Sequence, residues 1–190
     1  MARLLKCPRC GQCDHKENMI YDEQTKRHYH QLACYDNMLK DRESTRIENE
    51  QWDALYQYII KLHDLVVLPK GNITRLKDLR AGYIMKNGKQ VRQWRTGPDF
   101  SLMLDAYKLA ENDIKWCIAN KLDNSNDIKA INYCMSIMIN KLNEANDRRK
   151  RRRVIEKQKQ KVSLQDKEIN ININNKVNII NDEMDITGFL

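Results

Sequence analysis

The N-terminal part of the chain contains the stretch Cys7–Cys34, which reads CPRCGQCDHKENMIYDEQTKRHYHQLAC. It holds four of the six cysteines and three of the four histidines of the 190-residue chain. Structural zinc sites take about four nitrogen or sulfur ligands in a tetrahedron, and C-x2-C is a common first half of such a site. A polar segment this short has little to bury, so a metal ion would supply the stability that a hydrophobic core cannot.

The two halves of the predicted site are a C-x2-C pair and an H-x3-C pair. Cys7 and Cys10 form the first half, and Gly11 after them favours the tight turn, or knuckle, that aims backbone amides at the sulfurs. His30 and Cys34 form the second half, and nineteen residues separate Cys10 from His30. We therefore predict a zinc ion bound by Cys7, Cys10, His30 and Cys34.

Two further residues compete for places in this site. Cys13 could replace Cys10, and His28 could replace His30, because two histidines in alternate positions of a strand point to the same face. The segment between the two halves has room for a short hairpin, with polar residues 22–25 as its turn. The sequence predicts a small zinc finger over residues 1–40 in which the metal holds the fold together.

This segment resembles LIM-type and treble-clef zinc fingers, which have a C-x2-C knuckle followed by a His/Cys pair near the start of a helix. LIM fingers usually show H-x2-C, whereas this chain has H-x3-C. The resemblance covers only the first 40 residues. It implies a closed zinc site with a structural role.

A helical domain is predicted over residues 41–147. Its first helix, over residues 41–66, has a capping-box pattern at Thr45 and Glu48 and one apolar face. Two further helices, the first over residues 98–121 and capped by Asp99, are joined by a polar turn at residues 123–127. Both show apolar residues at steps of three and four, which favours an antiparallel pair completed into a core by the helix over residues 41–66. The predicted core positions are Trp52, Leu55, Tyr56, Ile59, Leu62, Val66, Phe100, Met103, Tyr107, Ala110, Ile114, Cys117, Ile128, Ile131, Met135, Met138, Leu142 and Ala145.

A short helix and a hairpin are predicted inside this domain. Asn72 can cap a helix over residues 73–81. The Asn-Gly pair that follows lies between two strand-like runs and predicts a β-hairpin at residues 83–94. Its register sets Lys86 opposite Lys89, a destabilising pair of like charges that a bound anion would relieve. A helix followed by a basic hairpin is similar to the way winged-helix proteins bind DNA.

The net charge of +8 is concentrated in two parts of the chain. Residues 69–97 contain eight Lys or Arg and one acid, and residues 141–161 contain ten and three. Separate blocks of one sign favour a polyanionic partner, which we expect to be nucleic acid and specifically DNA. The predicted phosphate contacts are Lys77, Arg80, Lys86, Lys89, Arg92, Arg95, Arg148, Arg149, Lys150, Arg151, Arg152 and Arg153.

The C-terminal part of the chain has a different composition. Residues 148–166 are predicted to be a basic helical extension, and residues 167–190, rich in Asn and Ile, a disordered tail with an acidic end. The last ten residues, NDEMDITGFL, loosely resemble the acidic tip of bacterial single-stranded-DNA-binding proteins. That resemblance implies docking of a host replication or transcription protein. An acidic tail that screens the basic run is the alternative.

The whole layout is similar to small proteins encoded by phages of low-GC Gram-positive bacteria, which pair an N-terminal Cys/His finger with a helical region. Some of these look like DnaD-type replication-initiation modules, whose helix pattern has Tyr, Ile and Trp at steps of four. In this chain Tyr107, Ile114 and Trp116 are spaced seven and two apart. The resemblance implies a role in phage replication or transcription, in the cytoplasm of a bacterial host.

Together these features predict a mainly α protein: a small N-terminal zinc finger, a three-to-four-helix domain with one basic β-hairpin, and a disordered tail. The chain has no apolar run long enough to span a bilayer, and it lacks a paired-carboxylate motif, a phosphate-binding glycine loop and a nucleophile elbow. We expect a zinc-stabilised nucleic-acid-binding accessory protein that is not an enzyme. The alternative is an adaptor whose finger and C-terminal tip bind a host polymerase, sigma factor or helicase.

Overall fold

The computed structural model describes residues 4–86, 88–122 and 127–183, with side chains as far as Val162. The described helices are α1 (Cys34–His63), α2 (Lys70–Arg80), α3 (Phe100–Leu109), α4 (Glu111–Lys121) and α5 (Asp127–Glu183). The described strands are β1 (Leu5–Lys6), β2 (Cys13–Asp14), β3 (Met19–Asp22), β4 (Arg27–His30), β5 (Tyr83–Lys86) and β6 (Lys89–Arg92), which pair as three antiparallel hairpins. The fold is mainly α with a cysteine-rich N-terminal segment, as predicted.

The main core lies where α3 and α4 pack against α5, with α1 and α2 closing it. Arg149 meets Asp99 near the start of α3, while Ile118 on α4 lies beside Ile131 near the start of α5. Helices α3 and α4 together therefore run antiparallel to α5, which confirms the predicted antiparallel helix pair. The predicted core positions that are buried are Leu55, Ile59, Phe100, Met103, Tyr107, Ala110, Ile114, Cys117, Ile131, Met135, Met138, Leu142 and Ala145.

The helix predicted over residues 98–121 is divided in two. Asp99 caps α3 by accepting a hydrogen bond from the Leu102 amide at 2.6 Å, as predicted. At Ala110 the amide donates to the carbonyls of both Ala106 and Tyr107, which tightens the last turn before α4 begins. Ala110 stays fully buried, so the apolar seam continues across the junction.

Helix α1 differs from its predicted bounds at both ends. It begins at Cys34, so the predicted capping box is wrong. Thr45 donates to the carbonyl of Asp41 within the helix, and the Glu48 carboxylate accepts a hydrogen bond from Arg80 instead. Since the helix ends at His63, Val66 leaves the core face and is 93% exposed.

Asn72 does not cap α2, because the helix begins two residues earlier, at Lys70. Its fully buried side chain donates to the Asn132 side chain at 3.1 Å and to the Ile128 carbonyl at 3.3 Å. These bonds tie α2 to the first turns of α5. The side chain of Ile128, predicted in the core, is 42% exposed in that first turn.

The basic hairpin has the predicted register, with Ile84 opposite Val91 and Lys86 opposite Lys89. It packs against α2, and the segment that follows the hairpin passes close to the C-terminal end of that helix. The Gly97 amide donates to the carbonyl of Arg80 at 3.1 Å. This backbone crossing fixes the direction in which the hairpin projects from the core.

Replacing Gly97 with alanine is expected to destabilise the domain by about 2 kcal/mol, because a side chain is forced into a closely packed place. A Cβ added there would lie 1.7 Å from the carbonyl oxygen of Leu79, a backbone atom that cannot rotate away. Urea unfolding followed by circular dichroism measures the loss. Gly71→Ala is the matched control, since its Cβ would meet nothing within 4 Å. Equal stability of the two variants would contradict the packing argument.

Helix α5 extends further than predicted at its C-terminal end. Its backbone includes residues 167–183, where the sequence predicts a disordered tail. The chain has neither glycine nor proline between residues 127 and 183, so nothing in the backbone chemistry stops the helix. Residues 184–190, and residues 123–126 of the polar turn predicted at 123–127, lie outside the described residues. Among the described helices, none is long and apolar enough to cross a membrane.

Candidate metal centre and basic surfaces

The first half of the candidate metal centre is a knuckle between β1 and β2. The Cys7 amide donates to the carbonyl of Gln12 at 2.8 Å, and the Gly11 amide donates to the carbonyl of Cys7 at 2.9 Å. Gly11 has φ +77°, a left-handed conformation that glycine adopts without steric cost. The turn brings the side chains of Cys7 and Cys10 to the same side.

The second half is formed where β4 leads into α1. Strands β3 and β4 form a hairpin whose turn covers residues 23–26, one position later than predicted. Asp22 lies opposite Arg27 at the turn, and Met19 lies opposite His30 at the open end. His30 is the last residue of β4, and Cys34 is the first residue of α1. A strand end and a helix start therefore present the two remaining candidate ligands.

The structure brings together the four predicted ligands. The candidate ligand atoms of Cys7, Cys10, His30 and Cys34 all lie within 4.8 Å of one another. The sulfur of Cys10 is 3.3 Å from His30 Nδ1. Tetrahedral zinc sites hold their ligand atoms about 3.3 to 3.8 Å apart, given the usual zinc–nitrogen and zinc–sulfur distances. The group can therefore hold a metal ion.

The two competing residues lie outside this group. Cys13 is on β2, exposed and opposite Lys6. His28 is opposite Tyr21, and the two rings pack with centroids 5.0 Å apart. The register of the hairpins separates the alternatives, which the spacing in the sequence did not.

The thiols of the centre differ in acidity. Burial raises the pKa of Cys7, but hydrogen bonds from the amides of Cys10, His30 and Arg9 outweigh it and lower the pKa to about 6. Burial and the neighbouring Cys10 and Cys7 raise the pKa of Cys34 to about 11. A cation at the centre would relieve the repulsion between thiolates and displace the proton of Cys34.

Asp14 completes the centre and is a residue that the sequence analysis missed. Its Oδ2 lies 3.7 Å from His30 Nε2, on the side of the ring away from the sulfurs. Hydrogen bonds from Asn18 and from the His15 amide hold the pKa of this carboxyl below its usual value. Metal-binding histidines commonly turn their second nitrogen to a carboxylate, which orients the ring. No spacing rule links Asp14 to His30, because they meet only when the two hairpins pack.

Replacing Asp14 with asparagine is expected to weaken metal affinity about 10- to 100-fold, the usual effect of removing a carboxylate partner of a ligating histidine. Competition for zinc with a chromophoric chelator measures the change. Asp53→Asn, on the exposed face of α1, removes the same charge away from the centre and should leave affinity unchanged. Equal affinity in both variants would show that Asp14 does not orient His30.

A second missed residue, Asp22, anchors the finger to α1. Its carboxylate is buried and accepts hydrogen bonds from Arg42 at 2.8 Å and from the amide and hydroxyl of Thr25, each at 2.7 Å. The bond from Arg42, followed by those from Thr25, lowers the pKa of Asp22 to about 2. The finger has its own small core of Cys7, Met19 and Tyr29.

The predicted phosphate contacts on α2 are already engaged within the protein. Arg80 donates to the Glu48 carboxylate at 2.8 Å, and the Lys77 ammonium lies 5.5 Å from the centre of the Trp52 ring. Both side chains could still present charge to a partner. Their present contacts give them a role in holding α2 against α1.

The basic side chains of the hairpin, unlike Arg80 on α2, form no ion pair with a described residue. Lys86, Lys89 and Arg95 are exposed and form no ion pair with any residue that the structure describes. Arg92 lies over the Tyr83 ring and donates to the carbonyls of Trp94 and Arg95, and no described carboxylate forms an ion pair with it. All four cations remain predicted nucleic-acid contacts.

The arginine run on α5 contains one residue with a different role. The Arg149 side chain is only 16% exposed, and its guanidinium contacts Asp99 at 3.1 Å, Asp105 at 3.0 Å and the Ser101 hydroxyl at 3.0 Å. These bonds bind α5 to α3, so a phosphate contact fits Arg149 poorly. The pairs of the remaining run are Arg148 with Glu144, Lys150 with Asp147 and Arg152 with Asp105.

Arg151 and Arg153 are the two residues of the run that make no ion pair within the described part of the chain. Both side chains are exposed on α5. These two arginines, together with the paired Arg148, Lys150 and Arg152, remain predicted nucleic-acid contacts.

Similarity to a known protein family extends over nearly the whole chain. A model of the SPbeta prophage protein YorH family matches residues 7–187. No curated protein and no solved structure matches the chain. The matched range includes all four residues of the metal centre and every described helix.

Proposed function

The chain belongs to the SPbeta prophage protein YorH family, and on this premise we propose that it is a zinc-stabilised, nucleic-acid-binding accessory protein of phage replication or transcription. It would act in the cytoplasm of the bacterial host. The likeness to DnaD-type modules stays a prediction. The basic β5–β6 hairpin is the observation that carries the proposal.

The hairpin concentrates positive charge at a tip without carboxylates. Lys86 and Lys89 are opposite each other across the strands, both exposed. Two unit charges about 4 Å apart repel each other by about 1 kcal/mol in water, and more near a protein surface. A phosphate between the two ammonium groups would turn this repulsion into two attractions. Two further arginines, Arg92 and Arg95, extend the charged surface along the exit of the hairpin.

Zinc is the metal that the donor set favours. Three thiolates and one imidazole form a Cys3His set, which is common in structural zinc sites. Protein side chains would fill all four positions of a tetrahedron, so no position remains for water or a substrate. We therefore assign the metal a structural role and propose no enzymatic activity.

An electrophoretic shift assay with duplex and single-stranded DNA and RNA across a salt series tests the proposal, on protein of measured zinc content. We expect binding at low salt. The logarithm of the affinity should fall linearly with the logarithm of the salt concentration. Contact of the four hairpin cations with phosphates gives a slope of about −3 to −4. Lack of binding to every probe at low salt would contradict the proposal.

A role as an adaptor is the second candidate, and the surface beside the metal centre favours it. Leu32, next to the centre, is 88% exposed, and Leu4 and Tyr21 on the finger are about half exposed. Contiguous exposed apolar surface marks protein contacts, and Leu32 is the residue through which this candidate is tested. This candidate predicts that the protein captures a host polymerase, sigma factor or helicase after nuclease treatment, and that Leu32→Asp abolishes capture.

A further inference from the structure

A groove of about 460 Å³ lies between α3 and α5, apart from both the metal centre and the hairpin. Four cations and one carboxylate line it, together with three apolar residues. The charged residues are Lys108, Arg148, Arg151, Arg152 and Asp105, and the apolar residues are Leu109, Ala145 and Ile155.

The acid in the groove is already neutralised. Asp105 Oδ2 accepts hydrogen bonds from the half-buried Arg149 at 3.0 Å and from Arg152 at 3.4 Å. Lys108 and Arg151 are exposed at the rim and make no ion pair with another described residue. The rim therefore presents positive charge that nothing in the described chain compensates.

The floor of the groove distinguishes between two classes of partner. It is aliphatic, and no aromatic ring is among the described residues that line it. Proteins that bind single strands stack the bases on aromatic rings, so a single-stranded nucleic acid would satisfy the rim and leave the floor unmatched. Ile155 is 50% exposed and available for apolar contact. An acidic peptide segment that also carries large apolar side chains matches both parts.

The chain itself contains such a segment. Residues 181–190 read NDEMDITGFL, with acids at 182, 183 and 185 and large apolar side chains among and after them. It cannot reach the groove of its own chain. Helix α5 continues for 28 residues from Ile155 to Glu183, which spans about 42 Å, whereas residues 184–190 extend at most about 25 Å.

We propose that two copies of the chain associate along α5 in antiparallel orientation, and that residues 182–190 of each copy occupy the α3–α5 groove of the other. If residue 184 of one copy lies beside Arg152 of the second, a two-fold axis passes near residue 168. The same pair then forms at the other end, because a two-fold interface is self-complementary.

The exposed side chains of α5 agree with this arrangement. Val154, Ile155 and Val162 are 54%, 50% and 55% exposed on a helix that extends beyond the core. A second copy of α5 would cover apolar side chains there and place residues 182–185, which include three acids, beside residues 151–154, which include three arginines. The inference depends neither on the metal nor on nucleic-acid binding.

Sedimentation equilibrium on nuclease-treated full-length protein tests the association. We expect a dimer for the wild type and a monomer for a chain ending at residue 183. Lys108→Glu combined with Arg151→Glu should also give a monomer, since it breaks no ion pair of the folded chain. Three further substitutions in that variant, Asp182→Arg, Glu183→Arg and Asp185→Arg, should restore the dimer. The hairpin variant Lys86→Glu/Lys89→Glu should remain dimeric, which separates this inference from the proposed function.

A second measurement uses the peptide of residues 181–190, labelled for fluorescence anisotropy, with the chain ending at residue 183. We expect binding that the Lys108→Glu/Arg151→Glu variant weakens at least about tenfold, and no binding of a scrambled peptide. A monomeric wild type would overturn the proposal even if the peptide bound, since the groove would then serve another protein. A dimer that persists when residues 184–190 are deleted, or that dissociates on nuclease treatment, would overturn it as well.

Discussion

Removing the metal, or replacing Cys34 with alanine, is expected to unfold residues 4–33 and to leave the helical core folded. In the described part of the finger, the core consists of three buried side chains, Cys7, Met19 and Tyr29. Binding of structural zinc to finger peptides is worth about 10 to 16 kcal/mol, and most small fingers do not fold without it. The main core is formed by a separate set of residues on α1–α5 and does not include any of the four ligands. This is the largest effect that we expect from any change to the chain.

Hydrogen exchange measures this result residue by residue. The amides of β3 and β4 should lose their protection in the Cys34→Ala variant, while those of α3 and the first half of α5 keep theirs. Cys13→Ala is the matched control, because Cys13 is exposed and outside the ligand group. It should keep one zinc ion per chain and a protected finger. Full zinc content in the Cys34→Ala variant would contradict the assigned ligand set.

The four candidate ligands that the structure brings together could be predicted from the sequence because metal geometry restricts the spacing of residues that share one ion. Cys7 and Cys10 must be close in the chain to share one ion, and so must His30 and Cys34. Asp14 could not be predicted in the same way. It meets His30 only through the packing of two hairpins, a tertiary contact that no local pattern encodes.

The helical core was predictable where burial follows the helical period, and not where the helix ends are set by tertiary structure. The steps of three and four placed Met103, Tyr107 and Ile131 correctly in the core. The start of α1 was placed too late, because the capping pattern at Thr45 is a local signal. The last candidate ligand of the metal centre, Cys34, is the residue at which the helix begins.

Arg149 shows where a sequence signal was present and overlooked. The seam on α5 steps from Leu142 to Ala145 and then by four residues to Arg149. Reading the whole arginine run as one charged surface hid that step. The residue at a seam position turns toward α3, where two carboxylates and a hydroxyl satisfy its guanidinium.

Reversing both hairpin lysines, Lys86→Glu with Lys89→Glu, is expected to weaken nucleic-acid binding at low salt by a factor of about 100 or more. Each phosphate contact contributes about 0.9 to the slope of the logarithm of affinity against that of salt, so the slope should fall by about 2. The hairpin itself should remain as stable as before, because one pair of like charges replaces another. Fluorescence anisotropy with labelled duplex and single strands across a salt series measures both quantities.

The single change Lys86→Glu separates stability from binding. It places opposite charges across the strands, which should stabilise the hairpin by about 0.2 to 1 kcal/mol, and yet it should weaken binding. Lys157→Glu with Lys159→Glu is the control for total charge, since both lysines are exposed on α5 outside the predicted contacts. If this control pair weakens binding as much as the hairpin pair does, the protein attracts nucleic acid through its net charge. A larger effect at the hairpin would instead locate the contact at Lys86 and Lys89, the two cations whose mutual repulsion a phosphate would remove.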